Sequence, residues 1–522
     1  MTSLAVFRSN RFLVVALLAC LLAGCGDSGS GPAGERLLSV IAQWEPSSLD
    51  PAISGYVYTR MQIAETLVNA DDEGQPLPGL ASDWRESGDR LSWHFTLLPG
   101  VRFHDGSVLD GAHAAWVLNR ARARAGALSG APIAAITGSG NELIIQLTRP
   151  YSLLPALLAH SSTQMLAPAS FAPDGSVKAV IGTGPYALVR ITPPQSLEVR
   201  LSEYWRGPVP AVTAARYLAI GRAESRALIA GSGQADLVFD LDALATERLA
   251  RETPERLVSA TTPRTVILLL DAGHPALSDP RARLALSLAV DRDRIAAAIL
   301  RDATLAASQL MPPTIADWHD ATLPALHRDP AAARALLAEL GWQPAADGIL
   351  VRDGQRFALE LRVPSNRPEL PVVAAALQEQ LRAIGVRIDI VVGNDGDIPL
   401  LHHEGTLELA LGARNYATLN DPGATLAQDF SHGGGDWGAM NWAETQVAQA
   451  LQALAAGVDP AQGALLRRRI VGELQRGLPV IPIAWYRQSL AVSERVSGAS
   501  LDPMQRSYRL DALRWKTREP AR

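Results

Sequence analysis

Hydrophobic and polar positions alternate in several short windows, and each window predicts a strand. Leu91, Trp93, Phe95 and Leu97 are spaced two apart, as are Leu197, Val199 and Leu201. Phe357, Leu359, Leu361 and Val363 repeat the pattern, followed by Val386, Ile388 and Ile390. A period of two puts such residues on one face of a pleated strand. Thr265 to Leu270 (TVILLL) is apolar without interruption, which predicts a strand covered on both faces. Asp105-Gly106 predicts a turn after Val101 and Phe103.

Helical periods lie between these strands. Ser278-Asp279-Pro280 places a capping carboxylate before a proline and predicts a helix to about Val290. Asp291 restarts it toward Leu300, and Asp329-Pro330 opens another helix with Leu336, Leu337 and Leu340 on one face. Val373, Leu377 and Leu381 recur every four residues before Gly385. Helix, glycine and short strand in succession predict an α/β architecture.

The N-terminal segment is set apart from this rhythm. Arg8 and Arg11 precede an apolar stretch, Phe12 to Leu22, that is too short to span a bilayer as a mature helix. It ends in Leu22-Ala23-Gly24-Cys25, which resembles a bacterial lipobox. The expectation is a signal peptide over 1–24, a lipidated Cys25, and a flexible tether over 25–36. The only other cysteine, Cys20, would be lost with the leader, so the mature chain has no disulfide to rely on. Two of the 48 basic side chains, Arg8 and Arg11, also leave with it, so 46 stand against 53 acidic ones, a net −7. That balance argues against a nucleic-acid partner. No later apolar run reaches membrane-spanning length, and about 490 remaining residues predict more than one lobe.

Six blocks carry a family resemblance. Pro78 to Gly106 (PGLASDWRESGDRLSWHFTLLPGVRFHDG), Gly182 to Tyr186 (GTGPY), Glu203 to Gly207 (EYWRG), Ser278 to Arg294, Asp329 to Trp342, and Asn420-Asp421-Pro422 occur in one order. Together they resemble the family 5 extracellular solute-binding proteins of ABC importers, the dipeptide, oligopeptide and nickel-chelate group. The resemblance implies a two-lobed fold of the type II periplasmic-binding-protein kind. Lobe I would span 37–262, with a subdomain inserted over about 84–170. Lobe II would span 268–478, and 479–522 would return to lobe I through Pro479-Val480-Ile481-Pro482. It further implies an extracytoplasmic, lipid-anchored monomer that captures a peptide and meets ABC permease subunits, with no cofactor and no catalysis.

The ligand would be read between Gly412 and Trp442. Peptide-binding members hold the free amine with an aspartate four residues before the DP proline. Here that position is Thr418, and Asp421 is the substitute carboxylate. Tyr416 holds an aromatic position of the same strand, and Arg414 and Trp437 flank it. Tyr56 and Tyr58 could line the same cleft. Replacing Tyr416 or Asp421 by alanine is expected to weaken binding without unfolding. Nickel-chelate members place a histidine about ten residues after that proline, where this chain has His432, so a metal chelate or a modified peptide is the alternative. The arginine that subgroup carries before its Ala-Pro segment is Gln164 here. His402-His403-Glu404 is not a metal site on this reading, since adjacent side chains point apart. A hydrolase and a sensory lipoprotein are the rival classes. No Gly-x-Ser-x-Gly, His-Glu-x-x-His or phosphate-loop motif occurs.

Overall fold

The computed structural model describes residues 36–517 apart from 125, 366, 395, 418–420, 432–434 and 436. Cys25, Thr418 and His432 therefore lie outside the described residues.

The chain opens with β1 (Leu38–Ala42) and α1 (Pro51–Arg60). The stretch that follows builds a small sheet from β2 (Ala81–Glu86), β3 (Ser92–Leu97), β4 (Ile133–Ser139) and β5 (Glu142–Leu147), in the order β2-β3-β5-β4. Five more strands follow: β6 (Tyr186–Thr192), β7 (Ser196–Leu201), β8 (Ala214–Ala219), β9 (Leu237–Phe239) and the long β10 (Leu257–Leu270). Then come β11 (Ala358–Pro364), α2 (Glu369–Arg382), β12 (Arg387–Gly393), β13 (Leu409–Asn415), α3 (Pro422–Phe430), α4 (Thr445–Ala456) and the long β14 (Val480–Val492). Ten of these strands form one sheet in the order β12-β11-β13-β10-β14-β9-β1-β8-β7-β6.

The predicted helices form where their caps predict. Asp279, Asp291 and Asp329 each accept a backbone N–H of the first turn, satisfying a donor the helix cannot pair itself. Val373, Leu377 and Leu381 are buried along one stripe of α2. The continuous run in β10 divides as a two-sided strand must. Val266, Leu268 and Leu270 enter one core, while Ile267 and Leu269 enter another on the opposite face. Each such side chain contributes about 1.5–3 kcal/mol through burial. A third core gathers β1, α1, the small sheet, β7, β8 and the C-terminal segment up to Leu513.

Two strands join these halves. Leu257–Thr262 of β10 pairs with Tyr486–Ala491 of β14, beside β9. Thr265–Leu269 pairs with Val480–Trp485, beside β13. The register breaks between Thr262 and Thr265, where Pro263, which has no N–H to donate, and Arg264 are both extra residues. On β14 the two stretches of this ladder meet at Trp485 and Tyr486. No described helix is long and apolar enough to cross a membrane.

A cavity at the double strand crossing

A cavity of about 330 Å³ opens at this crossing. One wall is α1, which starts on Asp50, whose carboxylate accepts from the Ala52 N–H at 3.0 Å, and on Pro51. Ala52, Tyr56, Thr59 and Arg60 lie at helical spacing and face the cavity. Trp44 stands beside them, edge-on to Tyr56 with ring centroids 5.9 Å apart. The facing wall comes from the second half: Arg367, Leu370, Ala413, Arg414, Asn415 and Trp437. Arg264, projected by the bulge, and Gln505 and Arg506 of the C-terminal segment complete it.

Three of the sequence-predicted residues meet here: Tyr56, Arg414 and Trp437. Arg414 forks onto Asp429 of α3, with Nε and Nη2 each 2.7 Å from a carboxylate oxygen. Tyr58 does not line the cavity. Two residues on a helix are about 200° apart, so its ring turns inward, and its hydroxyl donates to the Ser48 carbonyl. Tyr416 is also fully buried, packed in a core with Trp318 and Leu426. Among the described residues its hydroxyl has no hydrogen-bond partner, and burial pushes its pKa up. Its truncation is therefore a core deletion, contrary to the expected binding-only effect. Asp421 caps α3, accepting from the Gly423 N–H at 2.6 Å, and faces a different cavity shared with Arg90 and Trp318. Gln164 is buried and donates to the Gly55 carbonyl at 2.9 Å, so it braces α1. Among the described residues no group of three or more His, Cys, Asp or Glu side chains could hold a metal.

Sequence reading missed Trp44, Arg60, Arg264, Arg367 and Arg506. Two signals pointed at part of this set. Arg264 interrupts a run of strand residues after a proline, and Arg60 lies one turn beyond Tyr56 on a helix. His160 also lines the cavity, and burial pushes its imidazole down to about 4, so it is neutral at pH 7.

The halves also touch outside the cavity. Arg90, in the β2–β3 turn, donates to the carbonyls of Ala456 and Gly457. The Ser152 N–H reaches the Ala455 carbonyl at 2.7 Å. These carbonyls close α4, where a helix has acceptors to spare and favours a cation.

Residues 75–437 match the family model for bacterial extracellular solute-binding proteins, family 5 Middle. A nickel-binding periplasmic protein of Escherichia coli (strain K12) is 27% identical over 71% of this chain and 73% of its own length. The glutathione-binding protein GsiB of Salmonella paratyphi A is 25% identical over 81% of this chain and 83% of its own. Among solved structures, NikA from Staphylococcus aureus in complex with Ni(L-His)2 superposes with a TM-score of 0.79 at 18% identity, covering 92% of this chain and 100% of that one. The oligopeptide-binding protein AppA from Bacillus subtilis, in complex with a nonapeptide, also gives 0.79, at 17% identity over 92% and 99%.

Proposed function

Because the chain belongs to the family 5 bacterial extracellular solute-binding proteins, we propose that it captures a small peptide-derived solute and presents it to the permease of an ABC importer. Proteins of this family bind and deliver, and do not catalyse. The observation that carries the reading is the cavity itself, walled by Trp44 and Tyr56 from one half and by Arg414 and Trp437 from the other. A solute seated there contacts both halves at once, so it binds the closed arrangement better than an open one. The volume suits a solute of two or three residues.

The peptide is a blocked or modified one. Among the described residues no carboxylate lines the cavity to hold a free ammonium, and a buried ammonium without a partner costs several kcal/mol. A metal chelate is the second reading, favoured by the nickel-binding relative and by the neutral imidazole of His160 in the wall.

Trp44 and Trp437 report on occupancy, so solute binding should change tryptophan fluorescence. Arg90→Ala should weaken that binding by about 10-fold or more while the empty protein keeps its unfolding midpoint. It removes charge-assisted bonds worth about 1.5–3 kcal/mol that only a closed arrangement makes. Unchanged affinity in Arg90→Ala would show that these contacts do not depend on the solute.

Lipid anchoring at Cys25 belongs to the same proposal and is supported by Leu22-Ala23-Gly24-Cys25. Mass spectrometry of the mature N-terminus should find a diacylglyceryl group on Cys25. An unmodified chain, or one cut elsewhere, would refute the anchor.

A further inference from the structure

We propose that the chain carries a second ligand site behind the strand crossing, shaped for a primary amine on an apolar body, and that an amine seated there favours the closed arrangement of the halves. The site is separate from the solute cavity and goes beyond the capture reading.

A cavity of about 560 Å³ lies there. Leu257 and Ser259 of β10 line it, as do Arg487 and Ser489 of β14, and Ser259 faces Ser489 across the ladder. Val258 and Ala260, one residue along, turn the other way and pack on the core that holds Val57 and Met61 of α1. Since α1 walls the solute cavity, the two cavities stand on opposite faces of the crossing strands. Both halves also share the rear one. Leu244 and Glu247 come from the helix Ala243–Glu252, whose Leu249 packs with Ile41 and Val238. Leu300, Arg301 and Val372 come from the second half, where Leu300 packs on the core of Val266 and Leu268.

The wall fits an apolar body with one cation. Leu244 and Val372 are 66% and 52% exposed, and with Leu300, Leu305 and Trp485 they offer apolar surface. Four carboxylates line the cavity, Asp242, Glu247, Asp302 and Glu369, against two cations among the described residues, Arg301 and Arg487. Arg487 pairs with Asp302, and Arg301 lies 4.0 Å from Glu247. Asp242 caps its helix, accepting from the Ala245 N–H at 2.7 Å. Glu369, the first residue of α2, is left without a cation in this wall. Among the described residues its Oε1 is buried with no hydrogen-bond partner. Burial pushes its carboxyl up, although Arg367, which lines the solute cavity, lowers it. An ammonium beside Glu369 favours the ionised carboxylate and donates to it at full charge. An alcohol does so more weakly, and an anion is repelled.

A structural role does not account for Glu369, because a buried carboxyl oxygen without a donor costs free energy. The position of the cavity sets the sign of its coupling. Halves that turn about the crossing strands cannot part on the solute face without approaching on the rear face. Opening would drive the helix Ala243–Glu252 toward Arg301 and Val372 and narrow the rear cavity. An amine that fills it therefore binds the closed arrangement better, and by linkage it raises the affinity for a solute.

The test uses the mature protein freed of retained solute by unfolding in guanidinium chloride and refolding. Three matched probes, 4-phenylbutylamine, 4-phenylbutanol and 4-phenylbutyrate, are titrated by calorimetry. The amine should bind at least about 10-fold more tightly than the other two. Val372→Trp fills the mouth of the rear cavity and should abolish amine binding. Glu369→Gln should lower amine affinity by about 10-fold and leave that of the alcohol unchanged. If Glu369→Gln does not fold, Val372→Trp, at an exposed position, still decides the location. Small-angle scattering reads the coupling: the amine alone should reduce the radius of gyration of the solute-free protein, as closing of the halves does. An alcohol or butyrate that binds as tightly as the amine overturns the site. So does the absence of binding by all three probes, or amine binding that survives Val372→Trp. A radius unchanged or increased at saturating amine overturns the coupling. The capture reading fails by a separate result: no solute retained, and no tryptophan fluorescence response to small molecules from the host cell.

Discussion

Replacing Asp429 by alanine should cost about 3–5 kcal/mol of stability, the usual penalty for removing one partner of a buried ion pair. Asp429 is 1% exposed and takes both forks of Arg414 at 2.7 Å. Its removal takes two charge-assisted hydrogen bonds from a guanidinium in a wall that already holds four other arginines. The backbone at this point is as constrained as the side chain. The Asp429 carbonyl accepts the Ala439 N–H at 2.9 Å, and a Cβ added to Gly438 would come within 2.0 Å of that carbonyl. The pair therefore ties α3 to the segment that carries Trp437. Denaturant unfolding of Asp429→Ala measures the loss. The double variant Arg414→Met with Asp429→Leu should recover most of it, since an apolar pair of similar volume is often neutral against a buried ion pair. Wild-type stability in the single variant would mean that the Arg414–Asp429 pair does not stabilise the fold.

The second large effect is expected far from the cavity, at Asp236. Its carboxylate is wholly buried and accepts four hydrogen bonds: the Ser39 N–H at 2.9 Å, and the Ser493 hydroxyl and two Arg495 nitrogens at 2.8 Å. It joins the start of β1, the approach to β9 and the exit from β14. Asp236→Ala strands a buried N–H and a hydroxyl as well as the guanidinium, and should cost about 3–4 kcal/mol. Arg495→Ala should cost only about 1 kcal/mol, because that side chain is more than half exposed and its charge is screened by solvent. Neither change should alter solute affinity, as neither residue lines the cavity. Equal losses in the two variants would refute this assignment of the burden to the carboxylate.

Much of the chain could be read before any coordinates. Alternation placed β3, β7, β11 and β12. Asp-Pro pairs placed helix starts, because a proline with no N–H and a carboxylate that caps are local chemistry, satisfied within a turn. The unbroken TVILLL run announced a strand with cores on both faces, and Val266 and Ile267 do enter different cores. These features are legible because their physical cause lies within a few residues of sequence.

The cavity has no such local cause. Tyr56 and Tyr58 are equivalent in sequence pattern, yet the turn of α1 sends one to the cavity and the other to the Ser48 carbonyl. Arg60, Arg264, Arg367 and Gln505 are scattered over more than four hundred residues, and they meet only because two strands cross between the halves with a two-residue bulge in one of them. Periodicity along the chain set which faces are apolar, and so the kind of fold. Which charges share a wall was set by strand register and by the packing of distant segments. A guanidinium does not reveal in sequence which carboxylate will stand beside it, as Asp429 stands beside Arg414.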